Sequence, residues 1–311
     1  MTMTRPPRPV NTVDKQSDSA TRRHRSPNAR ALVAFFALSF ALSWAWVIPL
    51  AATGHTVFQG RWWPTHFPAL LAPMLAAFIV TARTRGRTGV HDLLRRMGRW
   101  RIGWRWWLMA LSPLCFLGVA IAAVAATGGS LPAAREFAQF SGLPSTLGIV
   151  GVALAITVID GFGEETGWRG YALPQLQKRF SPLTATLIVA VAWAVWHIPQ
   201  FVALDSYAGF STGTAIGFLF GLTCGAFVAT WLYNNTGGSI LAVAVWHGVY
   251  DTAAGTAAAT EGSATVAAVV STLIMVQAFV LVGLEVRARR HGSRSILSPA
   301  STASPRTLAS L

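Results

Sequence analysis

Apolar and polar blocks alternate along the chain in a way that marks eight apolar segments, roughly 31–52, 67–82, 104–126, 146–163, 183–203, 213–233, 239–259 and 263–285. Most approach the ~20 residues a helix needs to cross a bilayer, while 67–82 and 146–163 fall shorter. The pattern predicts an all-α polytopic membrane protein with about eight transmembrane helices over residues 31–285. Residues 1–30 and 286–311 are rich in Arg, Pro, Ser and Thr without an apolar period. Such composition cannot bury a core, so both are expected to be disordered basic tails.

Composition strengthens this reading. Residues are 53% hydrophobic and 12% charged, against about 25% charged in a soluble domain. A net charge of +14 would suit a phosphate-rich partner, but its distribution points elsewhere. The tail before the first segment holds seven Lys and Arg, the 83–105 loop "RTRGRTGVHDLLRRMGRWRIGWR" eight, the 164–182 region three and the last tail five. That is 23 of 25, and the opposite loops hold only Arg61 and Arg135. Both termini are therefore expected in the cytoplasm of a multi-pass protein of the cell membrane. Membrane lipid is a partner by charge and hydropathy, and nucleic acid is not. Trp62, Trp63, Trp100, Trp104, Trp106 and Trp107 fall at predicted span ends, where aromatic belts form. Cys115 and Cys224 lie inside apolar runs with neither disulfide nor metal spacing, and are expected to be small core residues.

Polar groups enter this apolar frame in three places. "DGFGEETGWRG" at 160–170 ends the fourth segment, and "AVWH" occurs at both 194–197 and 244–247, in the fifth and seventh. A charged residue near the centre of a span costs roughly 2.5–3.5 kcal/mol on insertion scales. Glu164, Glu165, Arg169, His197, His247 and Asp251 nevertheless collect on three segments that share the cytoplasmic side. A lone Glu at a span end usually reaches water, and a lone histidine usually bonds between helices; six together point to a site. Glu165 and Arg169 have the favourable i,i+4 order for an ion pair. Glu164, about 100° further round the helix, is then expected to be unpaired and to face the interior, where a carboxyl group suits general acid or base work. His197 is placed to share water activation with it. His247 lies about eight residues into its segment, roughly 12 Å deep, with Asp251 on the same face. Those two are candidates either to stabilise an oxyanion or to hold a metal. Simple counting puts His197 deeper than His247, and Pro199 is positioned to distort that helix.

With these residues in place, the chain resembles the CAAX protease and bacteriocin-processing (CPBP, or Abi) family of intramembrane endopeptidases, of the type II CAAX prenyl protease kind. The family pattern is EExxxR, FxxxH and HxxxN or HxxxD on successive membrane helices. It is met here by "EETGWR" at 164–169, "WAVWH" at 193–197 and "HGVYD" at 247–251, within a core of about residues 145–260. The resemblance implies eight helices around a cavity open to the cytoplasmic leaflet, and a hydrolase acting on membrane-associated peptides or proteins. It makes Glu164 the water activator assisted by His197, Glu165 and Arg169 structural partners, and His247 with Asp251 the oxyanion site. Trp193 replaces the usual Phe, read as a packing change. Asp251 stands where an amide often stands, and an ionised Asp cannot donate a hydrogen bond, so it must be protonated, orient His247 or bind metal. The family is described both as metal-dependent and as glutamate-based. A zinc ion on Glu164, His197 and His247 and no cofactor at all both stay open.

Other designs fit less well. The chain has no His-Glu-x-x-His run and no Gly-x-Ser-Gly, and "GFGE" with "YD" meets the aspartyl intramembrane pattern only in reversed order and with Glu for Asp. A transporter or proton relay would use the same buried ionisable groups, but only "AVWH" repeats, with no repeat symmetry around it. A catalytically silent immunity or scaffold protein would keep the fold without the reaction.

Overall fold

The computed structural model describes residues 26–299, so most of the expected N-terminal tail and residues 300–311 lie outside the described residues. The elements are α1 (Ser26–Ala52), α2 (Ala72–Met97), α3 (Trp104–Ala110), α4 (Ser112–Ala126), α5 (the segment Ser145–Leu176), α6 (Pro182–Trp196), α7 (Thr212–Asn235), α8 (Ile240–Ala254) and α9 (Ala264–Arg290). Every predicted apolar segment is helical, and no strand occurs among the described residues. The all-α polytopic reading stands, with a lower count of crossings. Among the described residues six helices are long and apolar enough to cross a membrane, and α3 with α4, bent by 46°, makes a seventh if the pair is one span. The bend falls at Leu111, where Pro113 lacks an N–H and its ring crowds the preceding turn. The eighth, α8, has 15 residues, about 22 Å of helix, and stops at Gly255 before the polar stretch that follows.

Within the hydrocarbon region every backbone group needs a partner, and serines supply it at helix starts. Ser181, Ser211 and Ser239 each accept from the backbone N–H three residues on, at 3.2, 3.1 and 3.1 Å, opening α6, α7 and α8. Two wide π-turns, Thr157–Gly161 and Trp168–Ala172, interrupt α5 on either side of Glu164 and Glu165. Turns of this kind re-aim side chains and often mark functional helices. The glycines of "DGFGEETG" permit backbone contact. A Cβ on Gly161 would fall on the carbonyl of Ala244, and one on Gly167 on Pro73. Small residues thus seat α5 directly against α8 on one side and α2 on the other, as membrane helix packing requires.

The basic segments meet at one end of the bundle. Arg96 donates to the Gly170 carbonyl at 2.7 Å and to the Tyr233 hydroxyl at 2.5 Å, and Ser239 donates to the Arg99 carbonyl at 2.7 Å. At the other end the loops close over the helices, with Val57 N–H donating to the Ala203 carbonyl at 2.8 Å and Gly60 N–H to the Phe140 carbonyl at 3.1 Å. Trp62, Trp63, Trp100 and Trp104 are exposed as a belt requires, and Cys224 is buried. Cys115 is not a core residue: it is exposed on the outside of α4, where lipid rather than protein would be its surroundings.

The last segment departs from the free tail expected over 286–311. Residues 286–290 complete α9, and the chain then folds back. Glu285 accepts from Arg289 at 2.6 Å, Ser295 at 2.9 Å and Leu297 N–H at 3.3 Å, while Asn234 and Asn235 donate to the carbonyls of Leu297 and Ile296. Leu297 is fully buried. Leu297→Ala is therefore expected to lower stability by about 2–4 kcal/mol, read as an earlier thermal unfolding midpoint in detergent. An unchanged midpoint would mean that this segment does not dock.

Candidate active site

Three elements bring the polar residues together. Helix α5 supplies Asp160, Glu164, Glu165 and Arg169, the end of α6 supplies Trp193 and His197, and α8 supplies His247 and Asp251. Glu165 and Arg169 are fully buried, Glu164, His197 and His247 nearly so, and the Asp251 side chain is 21% exposed. Burial of this many ionisable groups is costly unless they pair, and the pairing divides them in two.

The first group is a chain of charges. Arg169 Nη1 donates to Glu165 Oε1 at 2.9 Å, the i,i+4 pair expected from the sequence. The same oxygen faces His247 Nδ1 at 2.9 Å, and His247 Nε2 faces Asp251 Oδ2 at 3.3 Å. Glu165 thus ties α5 to α8, a role its spacing to Arg169 alone did not reveal. His247 stands between two carboxylates with both ring nitrogens engaged.

The second group is arranged around Trp193. Its indole N–H donates to Glu164 Oε2, so Glu164 is not unpaired as expected. Its other oxygen, Oε1, has no hydrogen-bond partner among the described residues. His197 Nδ1 meets the Trp193 carbonyl at 2.8 Å. A carbonyl only accepts, so Nδ1 carries the proton and Nε2 of the neutral ring presents its lone pair. The indole ring lies 5.7 Å from the His197 ring, 5.5 Å from the His247 ring and 4.5 Å below the Arg169 guanidinium. Counting residues had set the two histidines at different depths. One tryptophan touches both, because α6 breaks at His197 and turns before Pro199.

Sequence reasoning passed over three neighbours. Asp160, in the same "DGFGEE" stretch, is buried with Oδ2 unpartnered among the described residues, and is close enough for its charge to interact with Glu164, His247 and Asp251. His66 is buried and interacts electrostatically with His197. Tyr207, packed on Phe201 and Phe218 at 5.1 and 5.3 Å, lies within electrostatic reach of Glu164 and Asp251. Asp160 was legible as a charge on an apolar segment, whereas His66 precedes a short helix and Tyr207 sits in the short helix Asp205–Ala208, and only the fold brings them near.

The donor set does not suit a metal ion. Among the described residues no three of His, Cys, Asp and Glu are placed to hold one. Of the expected ligands, His247 has both nitrogens facing carboxylates, His197 has one on a carbonyl, and Glu164 has one oxygen on an indole. Asp160 Oδ2 and Glu165 Oε2 are also unpartnered among the described residues, but only Glu164 Oε1 and His197 Nε2 are open acceptors whose groups are both held by Trp193.

Fold and site together define an all-α, multi-pass membrane protein with a buried carboxylate–imidazole centre. Residues 144–253 match the family model of the type II CAAX prenyl endopeptidases, described as Rce1-like. The chain is also 22% identical over 221 residues to CAAX prenyl protease 2 of Methanococcus maripaludis, covering 68% of this chain and 80% of that one. The matched segment contains all three motifs. The resemblance to type II CAAX prenyl proteases is thereby borne out, and the matches support a membrane protease of the CAAX type.

Proposed function

We propose that the protein is an intramembrane endopeptidase that hydrolyses a peptide bond in a membrane-associated peptide or protein, with water activated by Glu164 and His197. The observation that carries this reading is the pair of open acceptors, Glu164 Oε1 and His197 Nε2, held against one tryptophan. A water bound between them gives its proton to Glu164 as its oxygen attacks the scissile carbonyl carbon. The carbonyl π-bond breaks and an oxyanion forms. The role of donor to that oxyanion falls to His247 Nε2–H, which the oxyanion would then share with Asp251 Oδ2, 3.3 Å away, the group that orients the ring. The proton on Glu164 then passes to the departing amine as the C–N bond breaks, which restores the carboxylate. No step runs through a metal. The excess of Lys and Arg at one end of the bundle supports cytoplasmic termini.

The substrate class follows from the relative named as a CAAX prenyl protease and from a site surrounded by apolar helices: a peptide anchored by lipid, with cleavage near its C-terminus. In proteoliposomes, a peptide carrying a prenylated cysteine before its last three residues is expected to be cut faster than its unmodified counterpart. Equal rates on both would overturn lipid selection. Failure to cut any anchored peptide, together with proton or solute flux through the vesicles, would replace the protease by a transporter.

Asp251 provides a second test. An amide at this position both accepts and donates, so Asp251→Asn is expected to keep kcat/KM within about threefold. Asp251→Leu, which leaves His247 without its orienting partner, is expected to lose on the order of 10²-fold. Equal losses in both variants would show that the charge of Asp251, not its hydrogen bonding, is what the reaction uses.

A further inference from the structure

Four large indoles are buried beside the site: Trp168, Trp193, Trp196 and Trp246. Among the described residues the N–H groups of Trp168, Trp196 and Trp246 have no hydrogen-bond partner. Burial alone therefore does not pair an indole in this protein, and the bond from Trp193 to Glu164 is a specific arrangement. The FxxxH pattern that the chain resembles carries phenylalanine four residues before the histidine, a ring with no donor. Tryptophan adds one donor, and that donor is aimed at the carboxylate to which the water-activating role falls.

We propose that Trp193 is a positioning residue for Glu164: its indole N–H fixes one carboxylate oxygen so that the other faces the attacking water. The proposal rests on the protease reading above and adds to it a residue that acts through another. The geometry that supports it is fourfold. The indole N–H meets Glu164 Oε2. Arg169 lies over the ring at 4.5 Å, holding it in place by cation–π attraction. The His247 ring meets its edge at 5.5 Å. The carbonyl of the same residue holds His197 Nδ1 at 2.8 Å. One residue thus orients both acceptors of the water site, the carboxylate through its side chain and the imidazole through its backbone. A hydrogen bond to a carboxylate is about twice as strong as a neutral one. In an apolar surrounding it confines Glu164 to one rotamer, where a phenylalanine would leave the carboxylate free to turn toward Arg169 or His247.

Trp193→Phe keeps an aromatic ring and the backbone carbonyl and removes the donor together with part of the indole's bulk, whereas benzothienylalanine removes the donor alone. In the full-length protein it is expected to lower kcat about tenfold with KM unchanged, the loss of roughly one hydrogen bond. Unchanged kcat, or a rise in KM alone, would make Trp193 a packing residue and overturn the proposal. Should Trp193→Phe fail to fold, benzothienylalanine at position 193 preserves the shape of the indole without its N–H, and the same kcat loss is expected. A second readout does not depend on catalysis. With indole-¹⁵N label on the 13 tryptophans, the resonance missing in Trp193→Phe belongs to Trp193, and it is expected to move in Glu164→Gln while that of Trp62 stays. A Trp193 signal indifferent to Glu164→Gln overturns the positioning bond whether or not any peptide is cut. A signal that moves in a protein that cuts no anchored peptide upholds the bond and rejects the protease reading instead.

Discussion

Glu164→Gln is expected to lower kcat by on the order of 10³-fold while leaving the thermal unfolding midpoint close to that of the wild type. Gln has the size of Glu, and its amide oxygen can still accept from the Trp193 indole N–H. It cannot take a proton from water, and positioned proton transfer is worth about 10²–10⁴-fold. Peptide cleavage and thermal unfolding measured on the same preparation separate the two effects. Activity above about a tenth of wild type would remove Glu164 from proton transfer, and a large fall in stability would place it in the framework instead. The neighbouring carboxylate gives the contrast. Glu165 carries the same charge one residue on, but its Oε1 is engaged by both Arg169 and His247.

How much of this division was legible in the sequence depends on how far each contact reaches along the chain. The pairs Glu165–Arg169 and His247–Asp251 were readable because four residues return a helix to the same face, and both are observed. The contacts that assign roles are longer. His247 to Glu165 spans 82 residues and Trp193 to Glu164 spans 29, and each requires a rotation of one helix about another that hydropathy does not encode. Local spacing alone therefore predicts an unpaired Glu164 and a packing role for Trp193. The two π-turns of α5 belong to the same class, since a wide turn leaves no periodic signature in a segment that is apolar on all sides. The fold followed a similar rule. Apolar length predicted where helices lie, but not that α8 ends at Ala254 or that Leu297 docks through Asn234, 63 residues away. Composition describes a tail as polar; whether it finds a partner is decided elsewhere in the chain.

The second large effect concerns the framework. Glu165→Ala is expected to destabilise the protein by about 3–5 kcal/mol, because removal of one member of a buried ion pair leaves the other charge uncompensated. Here two cations face the same carboxylate oxygen, Arg169 at 2.9 Å and His247 at 2.9 Å when its ring is protonated, and both lose it. Neither can turn to water, since Arg169 is fully buried and His247 nearly so. Arg169→Met is the informative comparison. It strands the same carboxylate from the other side, but Glu165 keeps His247 and the methionine fills most of the space over the Trp193 ring. The loss is therefore expected to be smaller than for Glu165→Ala. For a chain of this size 3–5 kcal/mol corresponds to a midpoint lower by on the order of 10 °C, and the order of the two variants is the test. Equal midpoints would mean that the bond from Glu165 to His247 contributes nothing to holding α5 against α8. A lower midpoint for Arg169→Met would mean that the guanidinium over Trp193, rather than the shared carboxylate, is what the helix junction depends on.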